Sequence, residues 1–124
     1  MLKILLNKFA RPAKAVFGAL MLVASVSAFA DISVADMPKQ AQATYVLIQQ
    51  GGPFPYEKDG VVFGNREKNL PLKKRGYYHE YTVKTPASRD RGAHRIVCGG
   101  VNPKIPDACY YTSDHYASFK KIVP

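Results

Sequence analysis

Hydrophobic and polar positions along the chain fall into three regimes. In the first, residues 15–30 (AVFGALMLVASVSAFA) form an uncharged apolar run of 16 behind four cations, Lys3, Lys8, Arg11 and Lys14. The run closes on Ala28, Phe29 and Ala30, a small-residue cleavage site. It is shorter than the roughly 20 residues that span a bilayer, so residues 1–30 are expected to be a secretory signal cut after Ala30. An uncleaved anchor is the alternative reading.

The second regime has helical spacing. Ala41, Tyr45 and Ile48 share one face, which Val46 and Leu47 widen. Asp36 is the expected N-cap, Pro38 sits in the first turn, and Gly51 stops the helix. The third regime follows a connection rich in glycine and proline (GGPFPYEKDG) and consists of short strand-like runs at 61–63, 77–83, 95–98, 109–112 and 116–123. Strand follows strand with no helix between them. The pattern predicts one α+β domain over residues 31–124, an N-terminal helix packed on a small antiparallel β-sheet.

Composition sharpens this picture in two ways. The segment after Ala30 holds 14 basic and nine acidic residues, a net charge of +5, which permits an anionic partner without naming one. Its two cysteines, Cys98 and Cys109, bracket the loop CGGVNPKIPDAC. In an exported chain an even cysteine count reads as a disulfide, and the absence of CxxC or HExxH spacing argues against a metal site. No metal or cofactor is expected.

Within GYYHEYTVKTP, alternation puts Tyr78, Glu80 and Thr82 on one face and Tyr77, His79, Tyr81 and Val83 on the other. Tyr77, Tyr81 and Val83 are the better core candidates, so Glu80 faces away from the core and His79 cannot easily partner it. Taken singly, Glu80 reads as a charge on a solvated face, Arg89, Arg91 and Arg95 as a solvated basic loop and its flank, and His115 as an incidental turn residue. Taken together they are the groups that metal-free RNA cleavage requires: a base for the ribose 2′-hydroxyl, an acid for the departing 5′-oxygen, and fixed positive charge at phosphorus.

Four stretches, GPFPYEKDGVVFGNREKNLP, GYYHEYTVKTP, RDRGAHRI and YYTSDHYASF, resemble in order and spacing the bacterial branch of the microbial guanyl-specific ribonuclease family, whose distant relatives include barnase. The resemblance runs from about Gly52 to Ile122. It implies Glu80 as general base, His115 as general acid, and Arg91 and Arg95 as the phosphate-binding arginines. It implies a guanine-binding loop in FGNRE, where Glu67 accepts from the donor edge of the base and the backbone N–H groups around Asn65 and Arg66 meet its carbonyl oxygen; Phe63 and Tyr116 are either flat surfaces near the base or the cleft, or core residues. The implied activity is a secreted or periplasmic endoribonuclease that acts on single-stranded RNA, with a barstar-like inhibitor as a protein partner and a monomer as the default state. No membrane contact is expected after signal cleavage. A basic exported polyanion-binding protein without turnover is the rival reading.

Two positions depart from the family pattern. Gly64 stands where a larger polar residue is usual, which is expected to loosen the recognition loop. His94 stands where an arginine often precedes the second phosphate-binding one, and is expected to add a second histidine near the site.

Overall fold

The computed structural model describes residues 29–124. Five strands form one sheet: β1 (Asp31–Ser33), β2 (Tyr78–Thr82), β3 (Arg95–Gly99), β4 (Ala108–Thr112) and β5 (Lys120–Val123), in the order β1-β5-β4-β3-β2. β1 runs parallel to β5 and every other pairing is antiparallel. Among the described residues one α-helix, α1 (Lys39–Gln50), crosses one face. This is the expected α+β architecture. The three-residue parallel edge strand is the addition, too short to leave a periodic signal.

Helix α1 begins two residues later than expected. Pro38 is the N-cap, with no side-chain capping bond, and its extended backbone presents the carbonyl that accepts from Ala41 and Gln42. Asp36 instead lies in a 3₁₀ turn (Val34–Asp36) that Ser33 caps by accepting from the Asp36 N–H at 3.2 Å. Gly51 ends α1 as expected. At φ 85° it occupies the left-handed region that an α-helix stop favours, and its N–H reaches back to the carbonyls of Leu47 and Ile48. The buried stripe is Ala41, Thr44 and Ile48, while Val46 is 47% exposed. Thr44 belongs in that stripe because its hydroxyl is satisfied, donating to the Thr82 carbonyl at 3.1 Å and so tying α1 to β2.

Both faces of the sheet are apolar. Tyr81, Val83, Ile96, Cys98, Cys109, Tyr111 and Ile122 pack under α1 with Met37, Ala41 and Ile48. On the opposite face, Leu70, Tyr78, Val97, Tyr110 and Phe119 make a second cluster, with Tyr77 against it. The expectation that Tyr77 belongs with Tyr81 and Val83 is therefore corrected. Tyr77 precedes β2, so strand alternation does not govern it, and its ring packs edge-on to Tyr78 at 5.0 Å. Cys98 and Cys109 face each other across β3 and β4 and form the expected disulfide, one pair inside the base of the 100–107 loop.

Two expected strands contract. Residues 61–63 make one bridge, Val62 to His79, although Gly60, Val61 and Phe63 also share backbone hydrogen bonds with Glu80 and Tyr78 and so cover the outer edge of β2. Residues 116–119 leave β5 because His115 and Tyr116 take φ of 56° and 75°, which no strand accommodates. None of the described helices is long and apolar enough to cross a membrane.

Candidate active site

Glu80 projects from β2 on the face opposite α1, between Tyr78 and Thr82. Its own N–H donates to the Val61 carbonyl at 3.0 Å and its carbonyl accepts from the Gly60 N–H at 2.7 Å, while β2 is paired to β3 on the other side, with Val97 opposite Glu80. Asp59 tightens that edge by accepting from the Thr82 N–H at 2.7 Å. The carboxylate is consequently displayed from a doubly hydrogen-bonded strand.

Three donors converge on it. Tyr116 donates its hydroxyl to Glu80 Oε1 at 2.6 Å, Arg91 Nη2 lies 3.4 Å from the same oxygen, and Arg95 Nε lies 3.9 Å away. Arg95 is buried in spite of its charge. It donates through Nε to the Tyr116 hydroxyl at 3.1 Å and through Nη1 to the carbonyls of Gly92 and His94 at 3.0 and 2.8 Å. Arg91 donates through Nε to Thr82 Oγ1 at 3.0 Å, so both guanidinium planes are oriented by neutral oxygens as well as by Glu80. Burial, reinforced by the bond to Glu80, pushes the Tyr116 phenol up to about 12, which keeps it a neutral donor.

The 86–92 loop brings Arg91 into place. Asp90 accepts from the Gly92 N–H and the Ser88 hydroxyl, each at 2.8 Å, and these bonds lower its pKa. A Cβ at Gly92 would collide with the Thr85 side chain, and φ there is 67°, so glycine is required. Arg89 stays exposed in this loop.

His115 sits on a tight turn between β4 and β5. Thr112 Oγ1 accepts from the N–H groups of Asp114 and Tyr116 and donates to Asp114 Oδ1 at 2.8 Å. Asp114 also accepts from Ser118, through its hydroxyl at 2.6 Å and its N–H at 2.9 Å, and these bonds hold its carboxyl at about 2. The His115 N–H is anchored to the Ala93 carbonyl at 3.0 Å. Left-handed backbone at two consecutive non-glycine residues is strain that this network must hold. Its effect is to leave the imidazole exposed, with its ring 4.7 Å from that of Tyr116.

The 63–70 loop forms the far wall. The Asn65 amide donates to the Leu70 carbonyl at 3.0 Å and accepts from the Leu70 N–H at 3.1 Å, closing the loop on itself with φ 52° at Asn65. The Asn65 side chain is thus committed to shaping the loop, which leaves its main-chain N–H as the group expected at the base. Among the described residues, the main-chain N–H groups of Asn65, Arg66 and Glu67 have no protein acceptor. Phe63 packs on Tyr116 at 4.9 Å between ring centres. Asn69, which the sequence reading passed over, donates to the Tyr116 carbonyl at 3.1 Å and so couples this loop to the His115 turn.

Glu80, His115, Tyr116, Phe63, Asn65, Arg66 and Glu67 all line one cleft of about 660 Å³, and Arg91 and Arg95 reach it through Glu80. His94 does not join them. It packs edge-on to Tyr111 of the helix-side core, so the expectation of a second histidine near the site is corrected. Gly64 has no left-handed φ, and a Cβ there would meet Arg66 Cγ at an ordinary 3.6 Å, so the backbone does not demand glycine.

A ribonuclease family model matches residues 23–123. Guanyl-specific ribonuclease St of Saccharopolyspora erythraea is 52% identical over 97 residues, covering 78% of this chain and 91% of that protein. Guanyl-specific ribonuclease Sa3 of Kitasatospora aureofaciens is 52% identical over 99 residues, covering 80% and 67%. Among solved structures, ribonuclease Sa2 with guanosine-2′-cyclophosphate superposes with a TM-score of 0.70 at 50% identity, over 78% of this chain and 98% of that one. A second structure of ribonuclease Sa2, in complexes with mononucleotides, gives 0.73 over 80% and 98%. With nearly all of the described domain matched at half identity, the chain belongs to the ribonuclease family.

Proposed function

We propose that the protein is an exported endoribonuclease that cleaves single-stranded RNA on the 3′ side of guanosine, forming a 2′,3′-cyclic phosphate that it then hydrolyses, without a metal ion. The observation that carries this reading is the convergence on Glu80 of Arg91, Arg95 and Tyr116, in the same cleft as an exposed His115. Relatives named guanyl-specific ribonucleases support it.

In the first step Glu80 takes the 2′-hydroxyl proton, the 2′-oxygen bonds to phosphorus, and the bond to the 5′-oxygen breaks as His115 protonates it. Charge accumulates on the non-bridging oxygens and is met by Arg91, Arg95 and the neutral Tyr116 hydroxyl, which are gathered around Glu80 in the free protein. Arginine suits this place because it stays charged while its neighbours exchange protons. In the second step the roles reverse. His115 takes a proton from water as the water oxygen bonds to phosphorus, and Glu80 returns one to the 2′-oxygen as its bond to phosphorus breaks.

Guanine is read by the 63–67 loop. Glu67 accepts from the donor edge of the base, and the open N–H groups around Asn65 and Arg66 meet its carbonyl oxygen. Adenine reverses that pattern and would leave those groups unpaired. The basic surface and the expected export also fit a barstar-like acidic inhibitor as a protective partner for the producing cell.

The test is an RNA digest in chelator with a DNA control, run beside Glu80→Gln and His115→Ala. RNA should be cut and DNA spared, and each variant should lose activity while still binding RNA. Cleavage of DNA or dependence on added metal overturns the mechanism. Binding without turnover in the unaltered protein establishes the polyanion-binding alternative.

A further inference from the structure

The apolar floor of the catalytic cleft does not stop at its rim. Phe119 lies edge-on to Phe63 at 6.2 Å on one side and to Tyr110 at 6.3 Å on the other. Tyr110 in turn lines a second, smaller cavity of about 210 Å³ together with Pro71, Lys73, Tyr77 and Tyr78. Both cavities open on the face of the sheet away from α1, over the same aromatic cluster.

The smaller cavity is built rather than incidental. Gly99 has no Cβ, which leaves room for the Tyr77 ring, and a side chain there would strike it. The Tyr77 hydroxyl donates to Asp107 Oδ2 at 2.7 Å, which fixes the ring, and that bond, together with partial desolvation, raises its pKa to about 12. Lys73 Nζ stands 5.2 Å from the Tyr77 ring centre. Lys73, Lys74 and Arg75 form an exposed cationic run, and the only ion pairs among the described residues belong to Glu80, so this charge is not neutralised by protein carboxylates. A flat aromatic wall beside exposed cations without a carboxylate partner is the combination that holds a stacked base and its phosphate.

We infer that this cavity is a subsite for the nucleotide on the 5′ side of the cleaved guanosine, its base against Tyr77 and its phosphate at the Lys73–Arg75 run. The polarity follows from the strand. Glu80 and Thr82, with Arg91, mark the scissile phosphate, which is joined to the 3′-oxygen of guanosine. Tyr78 and Tyr77 lie at the other end of β2, roughly 10 Å from Glu80 at the usual strand rise. With the 3′ phosphate at the Thr82 end of β2, the 5′ side of guanosine is assigned to the Tyr77 end.

The inference rests on the ribonuclease reading, and the experiment separates the two. kcat/KM is measured for GpC, for the 5′-extended ApGpC and for the 3′-extended GpCpA, in the unaltered protein and in Lys73→Gln and Tyr77→Leu. The 5′ extension should raise kcat/KM about fivefold to tenfold, the low end of what stacking on an aromatic contributes. Both variants should keep GpC turnover unchanged and lose most of that gain. If Tyr77→Leu fails to fold, Lys73→Gln decides alone, since its side chain is exposed; it should also flatten the salt dependence of ApGpC cleavage. No gain from the 5′ extension, a gain confined to GpCpA, or a gain that survives Lys73→Gln overturns the subsite. Failure to cleave GpC at all would instead overturn the ribonuclease reading.

Discussion

Replacing Glu80 by glutamine separates three roles that the carboxylate combines. Glutamine keeps an oxygen for the 2.6 Å bond from Tyr116 and removes only the charge facing Arg91 and Arg95. At an effective dielectric of about 20, unit charges 4 Å apart attract by about 4 kcal/mol before desolvation, which cancels much of it. Breaking a buried pair by removing one partner typically costs about 3–5 kcal/mol. Here Arg91 is 28% exposed and the acceptor oxygen survives, so the expected loss is smaller, about 1–2 kcal/mol, with Tm lowered by about 5–15 °C. That leaves the domain folded. Turnover on GpC should nonetheless fall by about 10²–10⁴, because no base remains for the 2′-hydroxyl. The third effect runs the other way. With the competing carboxylate gone, Arg91 and Arg95 should bind inorganic phosphate about tenfold more tightly, equivalent to about 1.4 kcal/mol. Thermal melts, steady-state kinetics and calorimetric phosphate titration read the three separately. Turnover within tenfold of the parent removes Glu80 as the base, and weaker phosphate binding refutes the account of the arginines.

Three further outcomes are expected. Asp114, whose carboxyl is held at about 2 by hydrogen bonds from Ser118 and Thr112, is a group with a lowered folded-state pKa; its contribution is present above the unfolded value of 3.8 and disappears as pH falls through about 2. Melting temperatures recorded between neutral pH and pH 2 should therefore fall less steeply for Asp114→Asn than for the parent, and parallel curves would contradict the assignment. Gly64→Gln has room beside Arg66 Cγ and no left-handed backbone to violate, so Tm should hold or rise slightly while selectivity for guanosine over adenosine increases; a loss of folding would show the loop geometry to be misread. Replacing both Cys98 and Cys109 by serine, which opens a link spanning 11 positions, should cost about 3 kcal/mol in the chain-entropy account, measured by urea unfolding, with kcat/KM on GpC unchanged because the disulfide lies in the helix-side core.

The residues that follow simple periodicity were legible in the sequence. Alternation placed Glu80 on the face away from α1 and turned His79 aside, and helical spacing placed Ala41 and Ile48 in the core. What escaped depends on contacts between residues distant along the chain. Thr44 looks polar and is buried because the Thr82 carbonyl, 38 positions away, takes its proton. Tyr116 was read as a flat surface, and its decisive feature is a hydroxyl bonded to Glu80 and Arg95, which only the left-handed turn at His115 and Tyr116 makes reachable. That turn also explains the shortened fifth strand: its aromatic residues have strand propensity, and the hydrogen bonds of Asp114 and Thr112 override it. Asn65 and Asn69 show the same limit, since loop asparagines are common and only the partner atoms reveal that one closes the recognition loop and the other fastens it to the catalytic turn.

The most direct test is to digest a defined single-stranded RNA in chelator and determine the chemistry of every new 3′ end early in the reaction. Termini at guanosine should carry a 2′,3′-cyclic phosphate and convert later to 3′-phosphates. Ends spread evenly over the four bases would contradict the role of the 63–67 loop, and 3′-hydroxyl termini would contradict attack by the 2′-oxygen and with it the roles assigned to Glu80 and His115.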